Sequence, residues 1–321
     1  MRPGNSNRRY RDHDVPPARV GLAALRCGYA PKTLGVSRNG TDAAIGRLYG
    51  DRREPRRRRS WDEPSLWPGT CSRCRVHEIE QARHVVIVVA HPDDEVIGAG
   101  ALLGHLRGVT ILHVTDGSPR DPADALRAGL ATREEYAGAR RRELKCALRL
   151  AGIAPQRAIQ LGFMDQETML QLPRLCASLA EQLAILGPDL ILTQPYEGGH
   201  PDHDSTAFAV HRCAGHATPL FEMTSYHARD GALETGVFLP NGEAAFVRPL
   251  PPEDALRKKR MLDCYRSQAH VLQDFAVVPE QFRRAPPYNF AHPPHAGMLH
   301  YERLPWGLTG ERWRELAASC R

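Results

Sequence analysis

The sequence predicts an α/β fold with a Rossmann-like, mostly parallel sheet, helices on both faces, and a less regular C-terminal extension. From residue 84 onward, short apolar runs alternate with amphipathic stretches of helical length. The first run, residues 84–90 (HVVIVVA), is apolar throughout, which is typical of a strand buried on both faces. Polar clusters follow two of these runs, at the position where ligand sites gather in open α/β sheets.

The predicted elements alternate between strand and helix. Runs rich in Val, Ile and Leu predict strands, and charged or Ala- and Leu-rich stretches predict the helices that connect them as βαβ units. The expected strands are residues 84–90, 109–115, 158–161 and 189–193, and the expected helices are 95–106, 132–150, 172–186 and 252–269. After residue 221 the pattern predicts two short strands, the last of these helices, and a Pro- and His-rich tail.

The N-terminal quarter differs from the rest in charge. Residues 1–83 hold 18 Lys and Arg against nine Asp and Glu, and the remainder holds 25 basic against 28 acidic residues. Six arginines lie between Arg52 and Arg59, and no hydrophobic period is sustained. Such a segment buries too little apolar surface to offset its ordering entropy. We therefore predict a basic, disordered segment at 1–82 and one folded domain at 83–321.

Signals for the cellular compartment point to the cytoplasm. No run approaches the ~18 apolar residues of a membrane span, and the N-terminus lacks a secretory signal. The eight cysteines are scattered, which suits reduced thiols. Cys71-Ser72-Arg73-Cys74 is a lone pair without the second pair of a structural zinc site, so we expect no metal there.

The first polar cluster, His91-Pro92-Asp93-Asp94, lies between the first strand and a helix. A hydrolytic zinc site needs about three His, Asp or Glu ligands and a position for water. It also needs a nearby carboxylate that does not bind the metal and can take the proton of the attacking water. Two adjacent aspartates could divide these tasks. A helix N-cap explains the same aspartates without metal, and this cluster alone favours neither explanation.

The second polar cluster, residues 197–204 (EGGHPDHD), follows the strand at 189–193. His200 and His203 are three residues apart, and Pro201 favours a first helical turn in which such positions share a face. Both clusters follow apolar strands of one sheet, so they are expected to meet at its edge. The pair favours a shared metal site over two unrelated helix caps.

The combination of A-H-P-D-D-E after a strand with G-H-P-D-H downstream resembles the PIG-L/LmbE-like family of zinc-dependent N-deacetylases, over residues 84–320. The resemblance implies a zinc ion held by His91, Asp94 and His203. It also implies that Asp93 is the general base, and that His200 stabilises the oxyanion or acts as general acid. A site with two histidines and one aspartate accepts Fe²⁺ as well as Zn²⁺.

Other positions match the family less specifically. Arg140, which forms R-x-x-E with Glu143, resembles an arginine that meets substrate hydroxyls, and a solvated helix face explains it equally well. Asp165 resembles a sugar-binding position, with an ordinary loop carboxylate as the alternative. Asp116 belongs to a T-D-G turn that we expect to shape the pocket floor. Residues 265–268 (YRSQ) match a recurrent helix, for which we expect a packing role.

The sequence thus predicts a cytoplasmic, zinc-dependent hydrolase that removes the N-acetyl group from an N-acetylated amino sugar or its conjugate. One alternative keeps the zinc site but hydrolyses an acyl amide of a lipid, peptide or antibiotic. The other is a nucleic-acid-binding protein that uses the basic head and carries a vestigial hydrolase body; the intact ligands and Asp93 argue against it. A homo-oligomer is compatible with the sequence. His292, His295 and His300 have no acidic companion, so we expect ordinary loop histidines.

Overall fold

The structure is a computed structural model that describes residues 72–215, 217–240 and 244–320. The arginine cluster and Cys71 lie outside the described residues. Helix α1 (Ser72–Gln81) precedes the domain boundary expected at residue 83, and its Val76 and Ile79 are buried in a core cluster. Disorder was predicted for residues 1–82, and α1 departs from that prediction. For residues 1–71, which lie outside the described residues, the disorder stays a prediction, and so does the boundary itself.

The elements that follow α1 alternate between strand and helix as far as α6, except that two helices, α3 and α4, lie between β2 and β3. The strands are β1 (Val85–Val89), β2 (Val109–Pro119), β3 (Ala158–Asp165), β4 (Leu190–Thr193), β5 (Leu220–Met223), β6 (Tyr226–Arg229), β7 (Ala232–Thr235), β8 (Phe246–Arg248) and β9 (Glu280–Arg284). The helices are α2 (Asp94–Leu103), α3 (Ala123–Arg127), α4 (Arg133–Leu150), α5 (Leu172–Leu186), α6 (Pro201–Cys213), α7 (Pro252–Leu262), α8 (Ala269–Leu272) and α9 (Gly310–Ser319). None of these described helices is long and apolar enough to cross a bilayer.

The main sheet has the strand order β3-β2-β1-β4-β5-β9-β8. The first five strands in this order are parallel to one another, β9 is antiparallel to β5, and β8 is antiparallel to β9. The chain builds outward from β1 through β2 to β3, and then returns to place β4 on the other side of β1. The direction in which strands are added therefore reverses between the neighbouring strands β1 and β4. In open α/β sheets the carboxyl ends of the strands at such a switch point border a crevice.

Helices cover both faces of this sheet, which confirms the predicted α/β fold class. The side chains of β1 alternate between two core clusters. Val85, Ile87 and Val89 belong to a cluster shared with α2, α4 and α7, and Val86 and Val88 belong to one shared with α5, α6 and α9. Both faces of β1 are therefore buried, as its continuous apolar sequence predicts.

The structure departs from the predicted elements in several places, and helices α3 and α9 lie where no helix was predicted. Strand β2 continues to Pro119 because its pairing with β3 resumes beyond bulges, at Thr115 with Phe163 and at Pro119 with Asp165. The helix expected at 252–269 ends at Leu262, because Tyr265 is not helical (φ −86°, ψ 65°). In place of two short strands after residue 221, the structure has β6 to β9.

Candidate metal and active site

Three side chains from the two polar clusters converge beyond the ends of β1 and β4. Nδ1 of His91 lies 3.2 Å from Nε2 of His203 and 3.4 Å from Oδ2 of Asp94. Nε2 of His203 lies 3.3 Å from Oδ1 of Asp94. Tetrahedral zinc with bonds of about 2.0 Å places its ligand atoms about 3.3 Å apart. The three buried side chains therefore fit a zinc ion in both chemistry and spacing.

The other ring nitrogen of His91 faces carboxylates. Its Nε2 lies 3.2 Å from Oδ2 of Asp202, and Asp202 also accepts hydrogen bonds from the N–H of Gln166 and the hydroxyl of Thr168. Burial acts to raise the pKa of Asp202, but the bonds from His91 and Thr168 outweigh it and lower the pKa. A carboxylate on the second nitrogen of a metal-binding histidine fixes the ring and leaves the first nitrogen free for the metal.

A second group of possible ligands shares His91 and adds Asp165, His200 and Asp202. Oδ1 of Asp165 lies 3.1 Å from Nε2 of His91 but 3.9 Å from Nε2 of His200. The carboxylate of Asp202 already has four hydrogen-bond partners: the ring of His91, the N–H of Gln166, and the N–H and hydroxyl of Thr168. Nδ1 of His200 accepts the N–H of Asp202. The first group, with His203, is therefore the better metal site. Asp165 borders it, and its expected contact with substrate stays a prediction.

Asp93 lies next to the candidate metal ligands, and its side chain faces Arg140. It occupies the N-cap position of α2, and yet its side chain makes no capping hydrogen bond. Oδ2 instead accepts a 3.0 Å bond from the guanidinium of Arg140, and the backbone takes a φ of 134° that is unfavourable for a non-glycine residue. Burial raises the pKa of Asp93 to about 8, against the opposing charge of Arg140. Helix capping thus does not explain this aspartate.

Arg140 is buried and contacts the loop of the first cluster. Besides Asp93, its guanidinium donates to the carbonyl oxygens of Pro92 (2.7 Å) and Gly117 (2.9 Å). Gly117 has a φ of 65°, and a Cβ there would lie 2.8 Å from the guanidinium carbon. Arg140 does not lie on a solvated helix face, and the T-D-G turn shapes the site by admitting it. A contact between Arg140 and substrate stays a prediction.

His200 begins helix α6 with its ring turned toward the crevice. Because Nδ1 accepts the N–H of Asp202 at 3.1 Å, the proton of the neutral ring is on Nε2. Burial and the nearby His91 lower the pKa of His200 well below its usual value, which favours that neutral ring. His200 can therefore offer a hydrogen bond from Nε2 to a group bound beside the metal ligands.

Sequence reasoning gave no role to Glu95, and it missed the network that this residue anchors. Oε2 of Glu95 accepts the N–H of Asp93 at 3.1 Å and faces Nε2 of His113 at 3.0 Å. Oε1 accepts the hydroxyl of Tyr265 at 2.6 Å. Glu95 is completely buried. The network holds Asp93 in its strained backbone conformation, so Tyr265 does more than pack.

For the amide hydrolysis that the sequence predicts, replacing Tyr265 with phenylalanine should lower kcat about tenfold with little change in KM, because a hydrogen bond to a charged group is worth ~1.5–3 kcal/mol. Steady-state kinetics on an N-acetylated substrate measures this. Tyr196→Phe is the matched control, because this buried hydroxyl donates to the backbone of His292. A Tyr265→Phe enzyme with wild-type kcat would contradict the positioning role.

Above these residues lies a cavity of about 490 Å³. Of the predicted site residues, His91, Asp93, Asp94, Arg140, Asp165 and His200 line it. His203 lies behind this lining and is 1% exposed. His300, expected to be an ordinary loop histidine, also lines the cavity, and its backbone N–H donates to Gly198 at 2.9 Å.

Comparisons of the sequence with known proteins give one consistent family. The family model for PIG-L, described as GlcNAc-PI de-N-acetylase, matches residues 86–214. A probable N-acetyl-alpha-D-glucosaminyl L-malate deacetylase 2 of Bacillus anthracis is 34% identical over 139 residues, which cover 41% of this chain and 59% of that protein. The protein of the same name from Bacillus cereus is 31% identical over 150 residues, covering 46% and 67%.

A third relative is the 1D-myo-inositol 2-acetamido-2-deoxy-alpha-D-glucopyranoside deacetylase of Corynebacterium glutamicum. It is 30% identical over 179 residues, covering 49% of this chain and 62% of that protein. The chain thus spans roughly three fifths to two thirds of the length of these relatives.

Solved structures support the fold. A triple-mutant deacetylase of the teicoplanin biosynthetic pathway has a TM-score of 0.50 at 23% identity, covering 62% of this chain and 96% of that chain. The deacetylase of the A40926 pseudoaglycone has a TM-score of 0.50 at 21% identity, covering 64% and 99%.

The region matched by the family model begins in β1 and ends just beyond α6. It therefore contains both polar clusters and the strands that bring them together. The chain belongs to the PIG-L/LmbE-like family.

Proposed function

We propose that this protein is a zinc-dependent N-deacetylase that hydrolyses the N-acetyl group of an N-acetylated amino sugar or its conjugate. The observation that carries the proposal is the convergence of His91, Asp94 and His203, with the buried carboxylate of Asp93 beside them and a cavity above. The names of the relatives, all deacetylases of glucosamine derivatives, support the reaction type and the substrate class.

The side chains divide the work of amide hydrolysis. A bound zinc ion would polarise the acetyl carbonyl and make water more acidic. Asp93, outside the ligand set and held by Arg140, takes the proton of the attacking water and can return it to the departing amine. His200 donates from Nε2 to the carbonyl oxygen as that oxygen gains negative charge. Geometry thus favours oxyanion stabilisation as the role of His200.

The proposed function is tested with the full-length chain. Metal should be found at roughly one equivalent per chain by elemental analysis. Acetate should be released from glycosides of N-acetylglucosamine, should cease after treatment with a chelator, and should return with added zinc. Substituting Fe²⁺ for zinc in the last step tests the second metal that the ligand set accepts. A folded, zinc-loaded protein that releases no acetate from any such glycoside would refute the function.

Cytoplasmic location and assembly into a homo-oligomer stay predictions. Nucleic-acid binding by the basic head also stays one, because the arginine cluster lies outside the described residues.

A further inference from the structure

Aromatic side chains that line the cavity contact two histidines of the candidate site. The ring of Trp306 lies with its centroid 4.9 Å from that of His200, and the ring of Tyr226 lies 5.0 Å from that of His203. Tyr226 in turn contacts Phe275 at 5.6 Å. All three aromatic residues line the cavity and are only partly buried, so ring surface faces the cavity.

We call Tyr226, Phe275 and Trp306 together the aromatic wall, and two aliphatic residues line the cavity with them. Leu233 and Leu304 line the same cavity and are also partly buried. All five residues lie outside the segment 86–214 that the family model matches. The wall is therefore contributed by the C-terminal part of this chain, and the family match says nothing about what it binds.

The charged residues of the cavity have an acidic excess away from the metal ligands. Asp121, Asp124 and Asp274 line it. Among the described lining residues, lysine and arginine are represented by Arg127 and Arg140 alone. Arg140 already donates hydrogen bonds to Asp93 and to two carbonyl oxygens.

Arg127, the other lining arginine, is paired as well. Its guanidinium contacts the carboxylate of Asp124 and lies 3.2 Å from Nε2 of His270. Partial burial and Arg127 lower the pKa of His270, so this histidine adds no positive charge near neutral pH. Asp124 already pairs with Arg127, and Arg140 pairs with Asp93, so an anionic group in the cavity would meet an excess of two carboxylates, Asp121 and Asp274.

We propose that the cavity selects substrates whose aglycone, the group attached to the N-acetylated sugar, is apolar and uncharged, and that this group lies against the aromatic wall. The inference rests on the proposed N-deacetylase function. Binding of an apolar group against exposed ring faces displaces water from both surfaces, which lowers the free energy of the complex. A carboxylated or phosphorylated aglycone would exchange its hydration for carboxylate neighbours.

The experiment compares three glycosides of N-acetylglucosamine with one anomeric configuration: methyl, phenyl and 4-carboxyphenyl. With the zinc-loaded full chain, kcat/KM for the phenyl glycoside should exceed that for the methyl glycoside about tenfold or more, as expected for burial of an aromatic ring. The kcat/KM for the 4-carboxyphenyl glycoside should be lower than that for the phenyl glycoside by a similar factor. Equal values for phenyl and methyl, or a carboxyphenyl value that matches the phenyl value, would overturn the inference.

Two variants connect these ratios to the named residues. Phe275→Ala should reduce the phenyl-to-methyl ratio, and the double variant Asp124→Asn with Asp274→Asn should raise the relative kcat/KM of the carboxyphenyl glycoside. Asp263→Asn is the matched control, because this exposed carboxylate pairs with Lys259 outside the cavity lining and should leave both ratios unchanged. Ratios cancel any general loss of active protein.

The same glycosides separate failure of the inference from failure of the function. If none is hydrolysed, their dissociation constants, measured by calorimetry, must still rank phenyl tighter than both others for the inference to stand.

A methyl glycoside with an N-hexanoyl group tests whether the aromatic wall binds the acyl chain in place of the aglycone. If its acyl group is removed faster than acetyl is removed from the phenyl glycoside, the wall binds the acyl chain and the inference is wrong.

Discussion

Replacing Asp93 with asparagine should lower kcat by roughly 10²- to 10⁴-fold, the usual contribution of a general base, while zinc stays bound. The carboxylate of Asp93 pairs with Arg140 and lies outside the set of three converging ligands, so its loss removes a proton acceptor and spares the metal. Kinetics on the phenyl glycoside and elemental analysis of the same preparation measure the two effects.

The Asp93→Asn variant needs a check of its fold, because it leaves the buried guanidinium of Arg140 without a charged partner. Its melting temperature should be compared with that of the wild type, and assays run well below the lower of the two. A folded Asp93→Asn protein with full zinc and wild-type kcat would exclude Asp93 as the base.

Replacing the neighbouring Asp94 with asparagine should weaken zinc binding, which the Asp93→Asn change should leave intact. The two oxygens of Asp94 lie 3.3 Å and 3.4 Å from the facing nitrogens of His203 and His91. Those histidines hold the pKa of Asp94 low despite its burial, as expected of a carboxylate that is ionised in the folded protein. Zinc affinity should fall more than about 100-fold, beyond the loss typical of changes to groups that merely orient a ligand.

Turnover by Asp94→Asn should therefore be lost at low zinc and partly restored by excess zinc, whereas excess zinc should not restore Asp93→Asn. Titration of each apoprotein with zinc, followed by the acetate assay at each concentration, distinguishes the two. If Asp93→Asn loses the metal and Asp94→Asn keeps it, the roles of the two aspartates are reversed.

The local features of the site could be predicted from the sequence. The apolar run before His91 predicted a doubly buried strand, and the run before residue 194 predicted a second, so the polar clusters could be placed at one edge of a parallel sheet. Helix α5 was predicted with its observed bounds, Leu172–Leu186. These features depend on side chains close together in sequence, for which periodicity and turn chemistry are informative.

The tertiary structure alone decided which distant groups support the site. Tyr265 reaches Glu95 across 170 positions, and Arg140 reaches the loop at Asp93 across 47. No local pattern distinguishes a helix arginine that faces solvent from one buried against a loop. The aromatic wall depends in the same way on how the segments around Tyr226, Phe275 and Trp306 pack beside the sheet.

The sequence by itself therefore determined the fold class, the family and the residues that meet at the switch point. Only the tertiary structure decided that the side chain of Asp93 accepts from Arg140 and makes no capping hydrogen bond, and that the cavity is lined by aromatic and acidic residues. The physical reason is that strand and helix periods act over a few residues, whereas burial, charge pairing and cavity lining are set by contacts between segments far apart in the chain.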